Sequence, residues 1–476
     1  MKNIVRGAGL LTFGAAGVAL LSFLRNLVVI RLLTVEDFGI ASLFAITMSM
    51  IEMASEVGLG RFIIREKKIN PTKLLNVSHT FQVFRGVILS ISLYILAPLI
   101  TEFFSIQSTT WAFQFLAVVP LIRGFAHLDV FRLQKKMAFL PWVIADTFPY
   151  LISFIFIYPL SLYTKDYSLV LWIIIIQSLV YVLLTHLLSR KTYTWEVDKN
   201  VLKKIYVFGW PLLINNIFMF IIFQGDKALV GSVFSLEVLG WFSAAFLLSI
   251  TPAALVTKVT SSLFLPYLSS VQNNLKELNN RFSNVVQISF VLGLLFAFLF
   301  LFIGDVLVVF LFGEKYYQAS MIVAWLGAAQ GFRIAKSGVI VTSIAVARTK
   351  LPMYANAIRA IFLLFAFILL VLGYKEILIV VFFAFVGEMM SFFASLFIIK
   401  KYINEFSLHF VKRIFIIMLI SYAAIISMNY FVGSVALGWR LLHLLLFSLL
   451  LLSIYRSLLL KFIRLKININ INGYGS

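Results

Sequence analysis

The sequence predicts an all-α polytopic membrane protein of about fourteen transmembrane helices, with twelve as the smaller alternative count. Of its 476 residues, 62% are hydrophobic and only 12% are charged. Soluble domains of this size have fewer hydrophobic and more charged residues. Long apolar runs recur along the whole chain, and each can cross ~30 Å of hydrocarbon at ~1.5 Å per residue. The basic residues are concentrated in alternate connections between these runs, which is the charge pattern of a multi-pass membrane protein.

The apolar runs follow one another closely along the chain, and each is taken as one span. They cover residues 8–33, 38–60, 78–101, 109–131, 141–163, 167–188, 205–232, 237–264, 284–312, 318–345, 352–373, 377–399, 410–431 and 437–459. We expect the first span to be retained, because the opening M-K-N-I-V-R leads into it without an A-x-A-like cleavage site.

Basic residues favour one side of the predicted membrane. The even-numbered connections and both terminal segments hold 27 of them, whereas the odd-numbered connections hold only Lys165, Lys315 and Lys375. Cytoplasmic connections carry an excess of Lys and Arg, so this bias predicts a multi-pass protein of the cytoplasmic (inner) membrane with both termini in the cytoplasm. The formal net charge of +21 therefore reflects topology, and no nucleic-acid partner is expected.

A short polar segment at residues 34–37, named the elbow here, connects the first two spans. A similar segment occurs about two hundred residues later in the chain. At a constant offset of 201, Thr34, Glu36, Phe38, Gly39 and Ser42 map onto Ser235, Glu237, Leu239, Gly240 and Ser243. Such internal repeats are common in transporters. They predict two pseudo-repeated six-helix lobes at residues 1–190 and 205–401, a cytoplasmic linker at 191–204, and two additional helices with a basic tail at 402–476.

Ten basic and seven acidic residues fall inside the predicted spans, where a basic side chain at the helix centre costs ~2.5–3.5 kcal/mol. Those near span ends are expected to reach the interface, and Asp129 is expected to pair with Arg132 three residues on. Six basic side chains remain as candidates for a substrate site. They are Arg25, Arg85, Arg123, Arg333, Lys336 and Arg359.

A cluster of arginines inside a membrane protein is well suited to hold phosphate, because the guanidinium fork matches phosphate oxygens bidentately. Arg123 and Arg333, which correspond at an offset of 210, are expected to face each other across the pseudo-symmetry axis. An ion-paired structural core is the alternative for these bases. Four acids are candidates for coupling to an ion: Asp146, Glu388, Glu56 and Asp226. Glu52 and Glu56 share one helix face, which favours salt bridges to a neighbouring helix.

Nothing in the sequence points to bond-breaking chemistry. It contains no Cys, no P-loop, no G-x-G-x-x-G after a strand and no H-E-x-x-H, and its five His are scattered without an i,i+4 pair. We therefore expect neither an enzyme nor a cofactor or metal. A polymerase or ligase of lipid-linked sugars would need a large outward loop, and the longest outward connection has about eight residues.

The elbow and its flanking residues, R-L-L-T-V-E-D-F-G-I-A-S-L-F at 31–44, resemble the first-loop pattern of the polysaccharide-exporter family. These are the Wzx-type O-antigen flippases of the multidrug/oligosaccharidyl-lipid/polysaccharide superfamily. The resemblance implies two lobes around a cationic cavity and alternating access on an undecaprenyl-diphosphate-linked oligosaccharide. It also implies a functional role for Arg25. Lipid II flippases are similar in layout, but their Gly-Ala-Asp type first-loop signature is absent.

The partners that this resemblance implies are the lipid-linked oligosaccharide diphosphate, membrane lipids, and the polysaccharide polymerase and glycosyltransferases of the same pathway. The alternative is a cation-coupled multidrug or metabolite antiporter of the same superfamily. That alternative favours an acid-dominated cavity, whereas bases outnumber acids within the predicted spans.

Overall fold

The structure is a computed structural model that describes residues 2–272, 274–348 and 350–400, with isolated positions at 402, 438, 440, 445, 448 and 449. Within these residues it is all-helical, which confirms the predicted fold class. Short 3₁₀ turns at Gln107–Thr109 and Glu314–Ala319 precede two of the helices. The α-helices are α1 Lys2–Leu32, α2 Val35–Ser55, α3 Leu59–Arg65, α4 Pro71–Phe103, α5 Thr110–Leu116, α6 Val118–Gly124, α7 Asp129–Lys135, α8 Leu140–Ser161, α9 Ser168–Leu187, α10 Lys199–Val233, α11 Leu236–Ser269, α12 Leu275–Phe312, α13 Ser320–Ala345, α14 Lys350–Val371 and α15 Ile377–Lys400.

Each of the first twelve predicted spans coincides with a helix or with a group of short helices. In the described part of the chain, ten helices are long and apolar enough to cross a membrane, or eleven if the segment from Gln107 to Lys135 is one bent span. The fourth predicted span is this segment, broken into α5, α6 and α7 with a 47° bend. Predicted spans 410–431 and 437–459 lie outside the described residues apart from isolated positions.

The repeated elbow is a helix cap in both of its copies. The hydroxyl of Thr34 accepts a hydrogen bond from the backbone N–H of Asp37 at 3.1 Å, and Ser235 accepts one from Val238 at 3.3 Å. A Ser or Thr at this position satisfies an N–H that the first helical turn leaves without a partner. The acidic residues Glu36 and Asp37 of α2 also complement the positive end of its dipole.

The two elbows cross at very close range, and the contact is reciprocal. A Cβ placed on Gly39 would lie 2.1 Å from the carbonyl oxygen of Leu236, and one on Gly240 would lie 2.0 Å from that of Val35. Val35 and Leu236 themselves correspond at the offset of 201. Glycine at both positions therefore lets the starts of α2 and α11 approach with their backbones almost in contact.

Contacts divide the chain into two compact units. The first comprises Met1–Leu247, Leu311–Tyr316 and Leu369–Ile377. In this unit α8 packs against α1 and α9, α10 against α2, and α4 against α5 and α6. A buried apolar cluster that includes Phe62 and Leu128 ties α3 and α4 to the start of α10.

The segment that precedes α10 is docked onto α4. The ring of Tyr193 stacks on that of His79 with 3.4 Å between centroids, and the backbone N–H of Glu196 donates to Thr80 at 3.1 Å. Asp198 caps α10, and a hydrogen bond from Lys73 holds the pKa of that carboxyl below its usual range. The helix therefore begins at residue 199, inside the predicted linker. The division into two six-helix lobes stays a prediction.

The second unit comprises Leu248–Phe310, Tyr317–Ile368 and Leu378–Ser476. Its core is aromatic, with Phe290 and Phe392 stacked at 5.9 Å between α12 and α15. Glycine again permits a close crossing, since a Cβ on Gly293 would lie 2.2 Å from the carbonyl oxygen of Gly331. This crossing holds α12 against α13, the helix that carries Arg333 and Lys336.

Candidate functional site

Two glycines bring α4 and α6 together in the first unit and place an arginine beside each glycine. A Cβ on Gly86 would lie 2.8 Å from the Cα of Gly124, so neither position has room for a side chain. Arg85 and Arg123 immediately precede these glycines in the sequence. The two arginines therefore lie next to the point where the two helices cross.

Both arginines line a cavity of about 500 Å³ within the first unit. Its wall also holds carboxylates, amides and phenol hydroxyls, so several polar groups line it although the surrounding helices are apolar. The polar lining residues are Glu52, Glu56, Gln82, Arg85, Arg123, Asp146, Tyr150, Gln177, Tyr181 and Asn216. Guanidinium groups, amides and hydroxyls are the groups that bind phosphate oxygens and sugar hydroxyls.

Each of the two arginines is paired with a glutamate, either Glu52 on α2 or Glu56 at the C-cap of that helix. Arg123 donates to the carboxylate of Glu52 and, at 3.1 Å, to the hydroxyl of Ser178. Arg85 donates to Glu56 at 3.2 Å. Glu52 and Glu56 are four residues apart, and the prediction that they bridge to neighbouring helices is confirmed.

Arg25 is not one of the residues that line the cavity, but it contacts two residues that do. Its guanidinium donates to the side-chain amide oxygen of Gln177 and lies over the ring of Tyr150, 5.4 Å from the centroid. Gln177 and Tyr150 both line the cavity. Arg25 can therefore position two lining groups, while the guanidinium groups of Arg85 and Arg123 reach the cavity directly.

The candidate acids fall in different places. Glu56 and Asp146 line the cavity, whereas Asp226 is buried on α10 and is not one of the lining residues. Its neighbour Lys227 lies over the ring of Phe246 at 4.8 Å. Glu388 belongs to the second unit.

In the second unit, three candidate bases surround the single carboxylate of Glu388. Arg333 donates to it at 2.6 Å and Lys336 at 2.7 Å, and Arg359 lies at 3.8 Å. Glu388 is 1% exposed, and Lys336 also donates to the hydroxyl of Ser391 at 3.0 Å. The cluster joins α13, α14 and α15.

The structure therefore divides the six predicted bases into two groups. Arg25, Arg85 and Arg123 meet at one cavity in the first unit, while Arg333, Lys336 and Arg359 meet at Glu388 in the second. Each group bonds to carboxylates of its own unit. The expected meeting of Arg123 with Arg333 stays a prediction.

Sequence reasoning named the charged groups but missed the neutral ones. Gln177, Tyr150, Tyr181 and Asn216 line the cavity, yet polar or amphipathic residues of this kind are also scattered elsewhere in the spans. One signal was available, because an Arg-Gly pair occurs at both 85–86 and 123–124. A glycine beside an intramembrane arginine indicates a close helix crossing at a polar site.

The described residues form many helices long and apolar enough to cross a membrane, which defines a multi-pass membrane protein. Its family is that of the polysaccharide biosynthesis proteins, whose model matches residues 28–321. A relative from Klebsiella pneumoniae, described as an uncharacterized membrane protein in the cps region, is 22% identical over 274 residues. That match spans 57% of this chain and 56% of the relative, so it covers little more than half the length of the curated protein.

Solved structures share the fold. The lipid II flippase MurJ in an inward closed conformation matches with a TM-score of 0.70 and 14% identity, over 94% of this chain and 99% of that one. An inward-facing multidrug resistance MATE family transporter of the MOP superfamily matches with a TM-score of 0.63 and 15% identity, over 81% and 95%. The predicted resemblance to a polysaccharide biosynthesis family is confirmed by the family model, and the two solved transporters share the fold of this chain.

Proposed function

We propose that the protein is a flippase that carries an undecaprenyl-diphosphate-linked oligosaccharide, the repeat unit of a surface polysaccharide, across the cytoplasmic membrane by alternating access. The observation that carries this proposal is the pair Arg85 and Arg123, which line one cavity within an apolar helical unit. Family membership and the cps region of the Klebsiella relative support a substrate from polysaccharide biosynthesis.

In this proposal the two arginines replace the hydration shell of the diphosphate. A charged head group crosses hydrocarbon very slowly because its desolvation is costly, and fixed guanidinium donors lower that barrier. The amides of Gln177 and Asn216 offer donors and acceptors to the first sugar. Arg25 acts through Gln177 and Tyr150 and holds them in place.

For Arg333, Lys336 and Arg359, a substrate role and a structural role both stay proposals. Their burial around Glu388 supports the structural role, because a ligand would have to enter a cluster whose carboxylate is 1% exposed. Arg123 and Glu52 are 35% and 39% exposed, which supports ligand access in the first unit.

A cation-coupled antiporter of the same superfamily is the second candidate. Glu52, Glu56 and Asp146 line the same cavity as the two arginines, so carboxylates outnumber guanidinium groups in the wall. Such carboxylates can bind a proton or a sodium ion, and cation coupling is also compatible with a flippase.

Replacement of Arg123 tests the flippase directly. In a flippase-deficient cell, Arg123→Ala should lower export of the lipid-linked sugar roughly tenfold to hundredfold, since hydrogen bonds to charged groups contribute about 1.5–3 kcal/mol. Arg123→Lys should restore export only partly, because an ammonium cannot reproduce the bidentate fork.

Membrane abundance of each variant is measured alongside export. Arg190→Ala is the matched control, because Arg190 is exposed and lies outside the cavity lining. Normal abundance together with normal export for Arg123→Ala would overturn the proposed site.

A further inference from the structure

We propose that Glu52 and Glu56 are displaceable counter-ions, which compete with the substrate's phosphates for Arg123 and Arg85. The inference rests on the proposed function and adds a role that the arginines alone do not supply. Substrate binding would displace the two carboxylates, and their return to the arginines would promote release of the phosphates.

The geometry of α2 makes the two glutamates a matched pair. Glu52 lies in the last turn of α2 and Glu56 at its C-cap, and they reach two different helices, Glu52 towards Arg123 on α6 and Glu56 towards Arg85 on α4. Both arginines line one cavity and each donates to one of these carboxylates, so in this proposal the phosphates of the ligand take the places of the carboxylates.

Exposure indicates that these pairs can open at low cost. Side-chain exposure is 39% for Glu52 and 46% for Glu56, against 1% for Glu388. A carboxylate that reaches water on leaving its partner loses little, whereas a buried one would be left as an uncompensated charge. Glu56 also has a second partner ready, since its other oxygen accepts the backbone N–H of Gly58 at 2.6 Å.

A transporter has to release what it binds, so its site cannot be too strong. Two arginines without counter-ions would bind a diphosphate tightly and slow its departure. The pairs keep the two guanidinium groups neutralised and let carboxylates re-form bonds as phosphates leave. Two other charged groups lie near these pairs: Asp146 on α8 lines the same cavity, and Arg25 on α1 donates to the lining residue Gln177.

Inorganic pyrophosphate is the probe for this competition, measured by calorimetry on the purified full chain in detergent. Glu52→Gln keeps the shape of the side chain and removes its charge, so pyrophosphate should bind about fivefold tighter, the size expected of one part-exposed ion pair. Export of the lipid-linked sugar by the same variant should fall, because release is slowed. Tighter binding with slower export separates a counter-ion from a residue that only supports the fold.

A double-mutant cycle distinguishes direct competition from a general effect of charge. In the Arg123→Ala background, Glu52→Gln should leave pyrophosphate affinity unchanged, because the arginine for which it competes is gone. Glu56→Gln with Arg85→Ala forms the second, independent cycle. Glu102→Gln is the control, since Glu102 lies on α4 but outside the cavity lining.

The outcomes separate this inference from the proposed function. If Arg123→Ala weakens pyrophosphate binding but neither Gln variant tightens it, the phosphate site stands and the counter-ion role is overturned. The counter-ion role is also overturned if the gain from Glu52→Gln persists without Arg123. If Arg123→Ala leaves affinity unchanged, or if neither the natural chain nor the Gln variants bind pyrophosphate, both proposals are overturned.

Discussion

Glu388 and Glu52 each hold an arginine, but the surroundings of the two carboxylates differ. Glu388 is buried among Arg333, Lys336 and Arg359, whereas Glu52 faces a cavity. A buried ion pair is expensive to break because the remaining partner is left charged and desolvated, while a part-exposed pair contributes little. The contrast gives the two glutamates opposite expected effects on stability.

We therefore expect Glu388→Ala to destabilise the protein by about 3–5 kcal/mol, since it leaves three cations without their shared carboxylate. Glu52→Ala should cost no more than about 1 kcal/mol, because its arginine stays accessible. Membrane abundance and the thermal unfolding of the detergent-purified protein measure both effects. An unfolding temperature of Glu388→Ala equal to that of the natural chain would contradict the structural role of the cluster.

At the residue scale, local pairs were predictable and distant ones were not. Asp129 and Arg132 are three positions apart and form the predicted bond, with Nη2 and Oδ2 separated by 2.9 Å. Arg123 and Glu52 are 71 positions apart, so helix periodicity gives each residue a face but does not name its partner. The partner is set by the crossing of helices, which a single sequence specifies only indirectly.

At the element scale, the repeated elbow joins two helix starts. Thr34 and Ser235 cap α2 and α11. The glycine five residues after each cap lies against the backbone of the other elbow. The sequence repeat predicted that the two elbows are equivalent. It did not predict that they touch, because the offset of 201 describes similarity along the chain and not distance in space.

Gly39→Ala and Gly240→Ala should each destabilise the protein by about 1–3 kcal/mol, the usual cost of forcing extra atoms into a packed contact. Each new Cβ would meet a backbone carbonyl, at 2.1 Å and 2.0 Å respectively, which cannot rotate away as a flexible side chain would. Abundance and thermal unfolding in detergent provide the measurement. Gly9→Ala is the matched control, because a Cβ there meets nothing within 4 Å and Ala favours a helix.

The helices themselves were largely predictable, because a run of about twenty apolar residues has few other stable arrangements in a membrane. Where prediction failed, polar residues or glycine interrupt the run. The fourth span is divided into α5, α6 and α7, and Arg123 in the last turn of α6 lines the cavity. Apolar content predicts where the described spans lie along the chain, but it does not show which span bends.

At the scale of the whole molecule, the chain shares its fold with MurJ at 14% identity. A match at so low an identity shows a shared fold and does not identify shared site residues. The cavity of this chain therefore has to be understood from its own side chains. Orientation in the membrane is the remaining global property, and it rests on charge distribution.

We expect reporter fusions at Asn200 and Asn279 to report the cytoplasm, and fusions at Asp166 and Lys375 to report the outside. Asp166 and Lys375 lie in the short connections after α8 and α14, which belong to the side with only three basic residues in its connections. Asn200 and Asn279 lie in the first turns of α10 and α12, on the side with 27. Because Lys and Arg near span ends resist translocation, this difference should fix the orientation. Alkaline phosphatase activity marks outward sites and green fluorescence marks cytoplasmic ones. A cytoplasmic signal at both Asp166 and Lys375 would invert the orientation, and the diphosphate would then have to approach the arginine cavity from the opposite side.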